Sequence, residues 1–314
     1  MDTLAKALIS KASGQSKLRV DDVVICEVDL AMIHDSGGPR RVKPILDRLQ
    51  RQVWDKDKIV VVTDHYVPAD NAETQAIQAL TKQWVQDQSI DKFYDEQGIC
   101  HVVLPERGHL APGLFCVGGD SHSPTGGAFG AYMFGIGATE MAGVLATGEI
   151  WIKVPETILM SWRNQLSAYV TAKDMMLAMC RKIGMGGGRY QAIQYAGQTI
   201  QALSMQERMT LSNMAAELGA QAGLIAPDEA TVAFVQAAGG TVPANWRDFQ
   251  IEAAESAENV MQFDAASLEP QIAAPHSPEN ADVADAFRNI SFDVAYIGAC
   301  TGAKYVDLAA AAEV

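Results

Sequence analysis

Three short apolar runs each lead into residues able to move protons or bind metal. Lys58 to Val62 leads into Thr63-Asp64-His65, Leu114 to Val117 into Asp120-Ser121-His122, and Phe292 to Ile297 into Gly298-Ala299-Cys300-Thr301. A carboxylate beside an imidazole fixes its tautomer and raises its basicity, so Asp64-His65 and Asp120-Ser121-His122 suit acid–base work or divalent-metal binding. A single pair of this kind is as often a satisfied polar strand end; two pairs, with His101 ahead of another apolar run, favour chemistry. Cys300 lies between a predicted strand and a predicted helix, where helix-terminal N–H groups stabilise a thiolate, so it reads as a metal ligand or nucleophile. Cys26, Cys100 and Cys116 sit in apolar runs and Cys180 in a helical stretch, which predicts four buried core thiols. Asn213 and Glu217, four apart, share one face of a predicted helix, a pattern that by itself is more commonly a solvated polar face.

The elements that must position these residues read as an α/β protein. β-type runs at Val23–Glu27, Ile59–Val62, Val102–Leu104 and Leu114–Val117 alternate with helical stretches such as Asn71–Gln88, the pattern of a doubly wound layered fold. In such a sheet ligands bind outside the carboxyl ends of the strands, so three reactive strand ends predict one composite site. Further helices are predicted over Leu4–Lys17, Thr171–Ile183 and Ser204–Ala220, the last opening with the Ser204 and Glu207 capping-box pair. Residues 239–285, rich in Gly and Pro, read as a connecting region. A strand at Phe292–Ile297 and a helix at Tyr305–Val314 then begin a new unit. The division predicted is 1–158 and 159–285, with 286–314 as the start of a third α/β/α unit. One strand and one helix cannot cover both faces of a parallel sheet, so that last unit is expected to be incomplete in this chain. The glycine-rich stretch Gly126 to Gly137 lacks the Gly-Lys-Ser/Thr ending of a phosphate loop and is expected to serve close backbone packing instead.

Composition narrows the function classes. With 314 residues, 48% hydrophobic and 20% charged, the chain can bury a large core, and a net charge of -14 with a pI near 4.8 argues against nucleic acid and anionic membranes as partners while leaving room for an anionic small molecule met by a few local cations. Five cysteines without a CxxC pair fit a reducing, cytoplasmic setting. The most apolar segment, Gly126 to Thr139, is too short to span a bilayer.

Four segments together resemble the aconitase superfamily: Gly119-Asp120-Ser121-His122-Ser123-Pro124-Thr125-Gly126-Gly127, Ser204 to Glu217, Gly223-Leu224-Ile225-Ala226-Pro227-Asp228-Glu229, and Ile297-Gly298-Ala299-Cys300-Thr301. Within it the chain is similar to large subunits of the 3-isopropylmalate dehydratase and homoaconitase type. The resemblance implies three-layer α/β/α domains and a hydro-lyase that acts on a hydroxy di- or tricarboxylic acid through a [4Fe-4S] cluster. It implies that Cys300 is the first of three thiolate ligands, with two further cysteines beyond Val314. Asp64 and His65 would protonate the departing hydroxyl, while His101 with Asp120 and His122 with Glu217 form the other two pairs. His34, Ser121 and Asn213 would contact substrate, and the base is a serine on the swivelling domain of a separate small subunit. Two positions depart from the pattern: Gly302 where Asn is usual, and Ser123 where Thr is usual. With one thiolate and no base serine, the 314 residues alone are expected to hold no intact cluster and show no turnover. Two other readings stand beside this one. A metal-dependent hydrolase would use Gly119-Asp120-Ser121-His122 but needs further His motifs; a non-catalytic scaffold would have kept the fold without the cluster.

Overall fold

The computed structural model describes residues 3–252 and 259–313. Helix α1 (Leu4–Ser13), capped by the Thr3 side chain, precedes strand β1 (Val23–Glu27). There follow β2 (Leu30–His34), α2 (Pro39–Leu49), β3 (Ile59–Thr63), α3 (Ala72–Asp87), β4 (Phe93–Asp95), α4 (Cys100–Glu106), β5 (Phe115–Gly118), β6 (Tyr132–Gly135), α5 (Ala138–Thr147) and β7 (Glu149–Lys153). Strands β2 to β6 form a parallel sheet in the order β4-β3-β2-β5-β6, and β1 pairs antiparallel with β7 as a separate ribbon. Every residue of β2, β3 and β5 is buried, because helices cover both faces, and that is why these runs are continuously apolar rather than alternating. Strand order reverses between β2 and β5, so the crevice at their carboxyl ends is the topological switch point of this sheet.

The chain continues through β8 (Thr157–Arg163), α6 (Ala172–Ile183), β9 (Ala192–Ala196), α7 (Gln198–Ala202), α8 (Met205–Asn213), β10 (Ala222–Ile225), α9 (Glu229–Ala237) and β11 (Val260–Asp264). A second parallel sheet runs β10-β9-β8-β11, with its own core of Met160, Trp162, Met175, Met179, Leu211 and Leu218. Strands β12 (Gln271–Ala273) and β13 (Ala281–Val283) pair antiparallel, and α10 (Ala299–Gly302) and α11 (Tyr305–Ala312) close the described chain.

The two sheets meet through the glycine-rich segment. Ser123–Phe129 forms a fully buried 3-10 turn after β5 that packs on α8 and β10. Gly127 is required there by close approach, since a Cβ at that position would lie 1.8 Å from the Gly223 carbonyl oxygen. The expectation of a packing role for this segment is met.

Several elements differ from expectation. Residues Val102–Leu104 lie inside helix α4, not a strand: the N–H of Cys100 finds its acceptor in the Asp64 carboxylate at 2.7 Å, a cap that comes from another part of the chain. The predicted Ser204–Ala220 helix begins with the expected capping box but stops at Asn213, followed by a 3-10 turn at Met214–Ala216. The region 239–285 is more than a connection, because β11 completes the second sheet. Phe292–Ile297 forms no strand: Phe292, Val294 and Tyr296 are 78%, 81% and 86% exposed, and no described strand lies alongside to share hydrogen bonds. Cys300 therefore sits in a four-residue helix after an exposed irregular segment, a turn too short to carry the dipole expected of a strand-to-helix junction. The four other cysteines are buried as expected. No described helix is long and apolar enough to cross a membrane.

Candidate active site

His34, Asp64, His65, Asp120 and His122 gather at the carboxyl ends of β2, β3 and β5, as the strand-end rule requires, while His101, Glu217 and Cys300 reach them from helices and turns. Beyond β3, Asp64 places Oδ1 2.6 Å from His65 Nδ1 and uses Oδ2 to accept the Cys100 N–H at the start of α4. Beyond β5, Asp120 accepts from His101 Nε2 at 2.6 Å and from the His122 backbone N–H at 2.8 Å, both on Oδ1. Its Oδ2 lies 3.5 Å from His65 Nε2. His122 Nε2 in turn stands 3.2 Å from Glu217 Oε1. One unbroken run of contacts thus links Asp64, His65, Asp120, His101, His122 and Glu217.

The turn that makes this possible is built by small residues. Gly118 ends β5 where a Cβ would overlap the Ser123 side chain, whose hydroxyl folds back to donate to the Asp120 carbonyl at 2.7 Å. Glu217, just past the 3-10 turn after α8, points to His122 rather than to bulk solvent, so the solvated-face alternative does not hold for it.

Burial and charge set the protonation states. Hydrogen bonds that His65 donates to the Asp120 and Asp64 carboxylates outweigh its burial and push its pKa up to about 10. Asp120 and Glu217 do the same for His122, again to about 10. Burial disfavours the Asp120 anion, yet the hydrogen bonds from His101, His122 and His65 hold its carboxyl well below the usual carboxylate range. His65 and His122 are therefore imidazolium ions at neutral pH, the state required of proton donors. Glu217→Gln removes one of the two anions around His122, and the His122 ring titration, followed by NMR, is expected to move down from about 10 toward its ordinary 6.5. An unmoved titration would show that Glu217 plays no electrostatic part.

Three expected substrate contacts have distinct surroundings. Ser121 is exposed, with its hydroxyl 3.3 Å from His122 Nδ1, and is free to meet a ligand. Asn213 is buried and donates from Nδ2 to Thr125 Oγ1 at 2.8 Å, while its Oδ1 receives the Cys300 thiol at 3.6 Å. His34 is 3% exposed and both ring nitrogens are engaged by backbone: Nδ1 accepts from Ser36 N–H and Gly37 N–H, so Nε2 carries the proton and donates to Gly119 carbonyl at 2.9 Å. That leaves no ring nitrogen for a substrate. His34 instead stacks on His65 at 3.9 Å between centroids and bridges the switch point between β2 and β5.

Asp35 escaped the sequence reading although it follows His34 at the same strand end. Fully buried, it accepts the N–H groups of Asp64, His65 and Tyr66 and so fixes the turn that presents the acid. His34, Asp35, Asp64 and His65 each offer a ligand atom within 4.8 Å of the others, a spacing compatible with a metal ion. The backbone bonds of Asp35 and His34 already use those atoms, which makes this a hydrogen-bonded support rather than a metal centre.

A cavity of about 740 Å³ opens beside this run, lined among others by His122, Glu217, Lys173, Met214 and Cys300. Another, of about 510 Å³, lies at the carboxyl ends of β9 and β10 around Arg208 and Asp228 and contains none of the histidines, so it is not where this chemistry occurs.

A family model described as Aconitase family (aconitate hydratase) matches residues 6–286. The chain belongs to the aconitase family. It is 41% identical over 313 residues to 3-isopropylmalate dehydratase large subunit 1 of Methanopyrus kandleri, covering 99% of this chain and 74% of that protein. It is also 39% identical over 292 residues to the probable methanogen homoaconitase large subunit of Methanosarcina mazei, covering 93% of this chain and 74% of that protein. Among solved structures, aconitase X of Thermococcus kodakaraensis matches with a TM-score of 0.43 and 9% identity over 84% of this chain and 63% of that one; the family assignment rests on the sequence matches alone.

Aconitase-family membership implies an iron–sulfur cluster. Cys300 fits as one of its thiolates, being half-buried on the cavity wall and facing Asn213, whereas Cys26, Cys100, Cys116 and Cys180 are buried. A four-iron cluster takes thiolates at three irons even with the fourth open, so Cys300 fits one position and the described residues do not complete the set.

Proposed function

We propose that this aconitase-family hydro-lyase is a catalytic large subunit that removes and re-adds water on a hydroxy di- or tricarboxylic acid such as 3-isopropylmalate, with a [4Fe-4S] cluster held in part by Cys300. The reading is carried by one observation: two histidines, His65 and His122, each held between carboxylates of Asp64, Asp120 and Glu217 within one run of contacts at a sheet switch point. A bound cluster would supply a Lewis-acidic iron for the hydroxyl that departs.

The residues of the chain would do the rest. His65 keeps Nδ1 on Asp64 at 2.6 Å, so the proton free to move to the departing oxygen is the one on Nε2, whose contact with Asp120 is long at 3.5 Å. Asp120 orients that ring, with His101 fixing the carboxylate from the other side. His122, paired with Glu217, and Ser121 face the opening where the substrate and its water would sit. His34 and Asn213 act as positioning residues, the first for His65 and the second for Cys300. The proton alpha to the carboxylate would be taken by a serine on a small-subunit partner. We read residues 1–158, 159–285 and 286–314 as three units, of which the first and the second meet at Gly127.

The test is anaerobic purification of the full-length protein with its small subunit, followed by an alkene-forming assay on 3-isopropylmalate, citramalate and homocitrate. Turnover of at least one of these acids that is lost in His65→Ala is expected. Absence of turnover on all three would overturn the hydro-lyase reading.

A further inference from the structure

Lys304 is the one buried side chain in residues 282–313, the described stretch that carries Cys300. Burying an ammonium is unfavourable unless its charge is paired and its protons are hydrogen-bonded. Here both conditions are met. Nζ donates to Thr210 Oγ1 at 3.0 Å and to the Thr301 carbonyl oxygen at 3.1 Å, and Asp307 Oδ2 lies 3.1 Å away, which accounts for its three protons. The same Asp307 oxygen accepts the Lys304 backbone N–H at 3.0 Å, so one carboxylate fixes both the ammonium and the start of α11.

These partners stand in register with the cysteine. Thr210 and Asn213, three apart on α8, are neighbours on one face of that helix; Cys300 Sγ reaches Asn213 Oδ1 at 3.6 Å, and Lys304, four residues on, reaches Thr210. Two ties therefore hold the Cys300 turn on α8, and the bond to the Thr301 carbonyl fixes the residue next to the thiol. The ties differ in one respect. A cysteine that ligates iron does so as a thiolate and has no S–H left to donate, so the tie through Asn213 weakens when metal binds, whereas the bonds of Lys304 do not depend on that proton.

We propose that Lys304 is the positioning residue that holds the Cys300 turn against α8 and keeps the thiolate at the cavity wall when a cluster is bound. This rests on the reading of Cys300 as a cluster ligand given above. The ammonium is 3% exposed and is not among the residues that line the cavity, so its role runs through Cys300 and not through the substrate.

The test uses the full-length protein with its small subunit, loaded anaerobically with iron and sulfide, as wild type, Lys304→Met and Thr210→Val. One measurement is the rate at which an added chelator bleaches the iron–sulfur absorbance; the other is amide hydrogen exchange of the cluster-free proteins, peptide by peptide. Groups that hold a metal ligand in place typically change metal affinity about ten- to a hundredfold, so Lys304→Met should bleach faster by about that factor. Its faster exchange should be confined to peptides covering residues 299–308, and KM of the loaded fraction, for an acid that the wild type turns over, should stay within about twofold of wild type. Thr210→Val, which keeps the ammonium and removes only the tie to α8, should shift bleaching and exchange in the same direction by less, and it carries the test if Lys304→Met does not fold. Bleaching at the wild-type rate in both variants, faster exchange spread through both sheets, or a raised KM with the cluster intact would overturn the assignment. Wild-type protein that takes up no cluster would instead sink the reading of Cys300 as a ligand, and this proposal with it.

Discussion

Asp120→Asn should lower kcat about a hundred- to ten-thousandfold while the protein stays folded. The carboxylate is the common partner of His101, the His122 backbone and His65, so an amide there breaks one geometry shared by three histidines. The neutral amide also removes the largest influence that keeps His65 protonated, and its ring titration should fall from about 10 toward 6.5. The sign of the pH dependence follows from the same contacts. His65, raised in the fold, contributes stability in full below its ordinary 6.5 and loses it as pH rises through about 10. Asp120, lowered in the fold, contributes above its ordinary 3.8 and loses that as pH falls toward its folded value. The cluster is therefore most stabilising between roughly pH 4 and 6.5, and Asp120→Asn should flatten the stability profile on both sides of that window. A wild-type kcat, or a His65 titration still near 10, would remove Asp120 from the centre of the site.

Gly127→Ala should produce the largest loss of stability among single-methyl additions at this junction. The added Cβ would lie 1.8 Å from the Gly223 carbonyl oxygen, and backbone cannot swing aside as a flexible side chain can. The cost should reach or exceed the top of the roughly 1–3 kcal/mol typical of overpacking, which lowers Tm by about 6 °C or more in a protein of this size. Separation of the two sheets would also part His122, on the first, from Glu217, which follows α8 of the second. Activity should accordingly fall faster than folded fraction as temperature rises. A Tm within a degree of wild type, measured by calorimetry, would show that the junction yields easily.

The strand-end argument worked where burial on both faces made the apolar run continuous, as in β3 and β5. It did not extend to Phe292–Ile297, because a β-type run becomes a strand only when a neighbour accepts its hydrogen bonds. The same limit explains Val102–Leu104: β-branched residues that favour a strand by propensity became helix α4 once Asp64, far away in sequence, capped the Cys100 N–H. Local preference was overridden by a tertiary contact.

What the sequence by itself determined was the set of reactive residue types, the location of Asp64, His65, Asp120 and His122 beyond two strand ends, the buried state of four cysteines and the family to which the motifs belong. These follow from local pattern, since an unbroken apolar run and the residues that terminate it are visible without a partner. Tertiary structure alone decided which residue serves which. It buried the His34 ring against the Gly119 carbonyl and the Asn213 amide against Thr125, enlisted Asp35 through backbone bonds that no side-chain pattern announces, and set Glu217 3.2 Å from His122. Such roles depend on distances between segments brought together by folding and on which polar atoms are already satisfied, and neither quantity exists until the chain has folded.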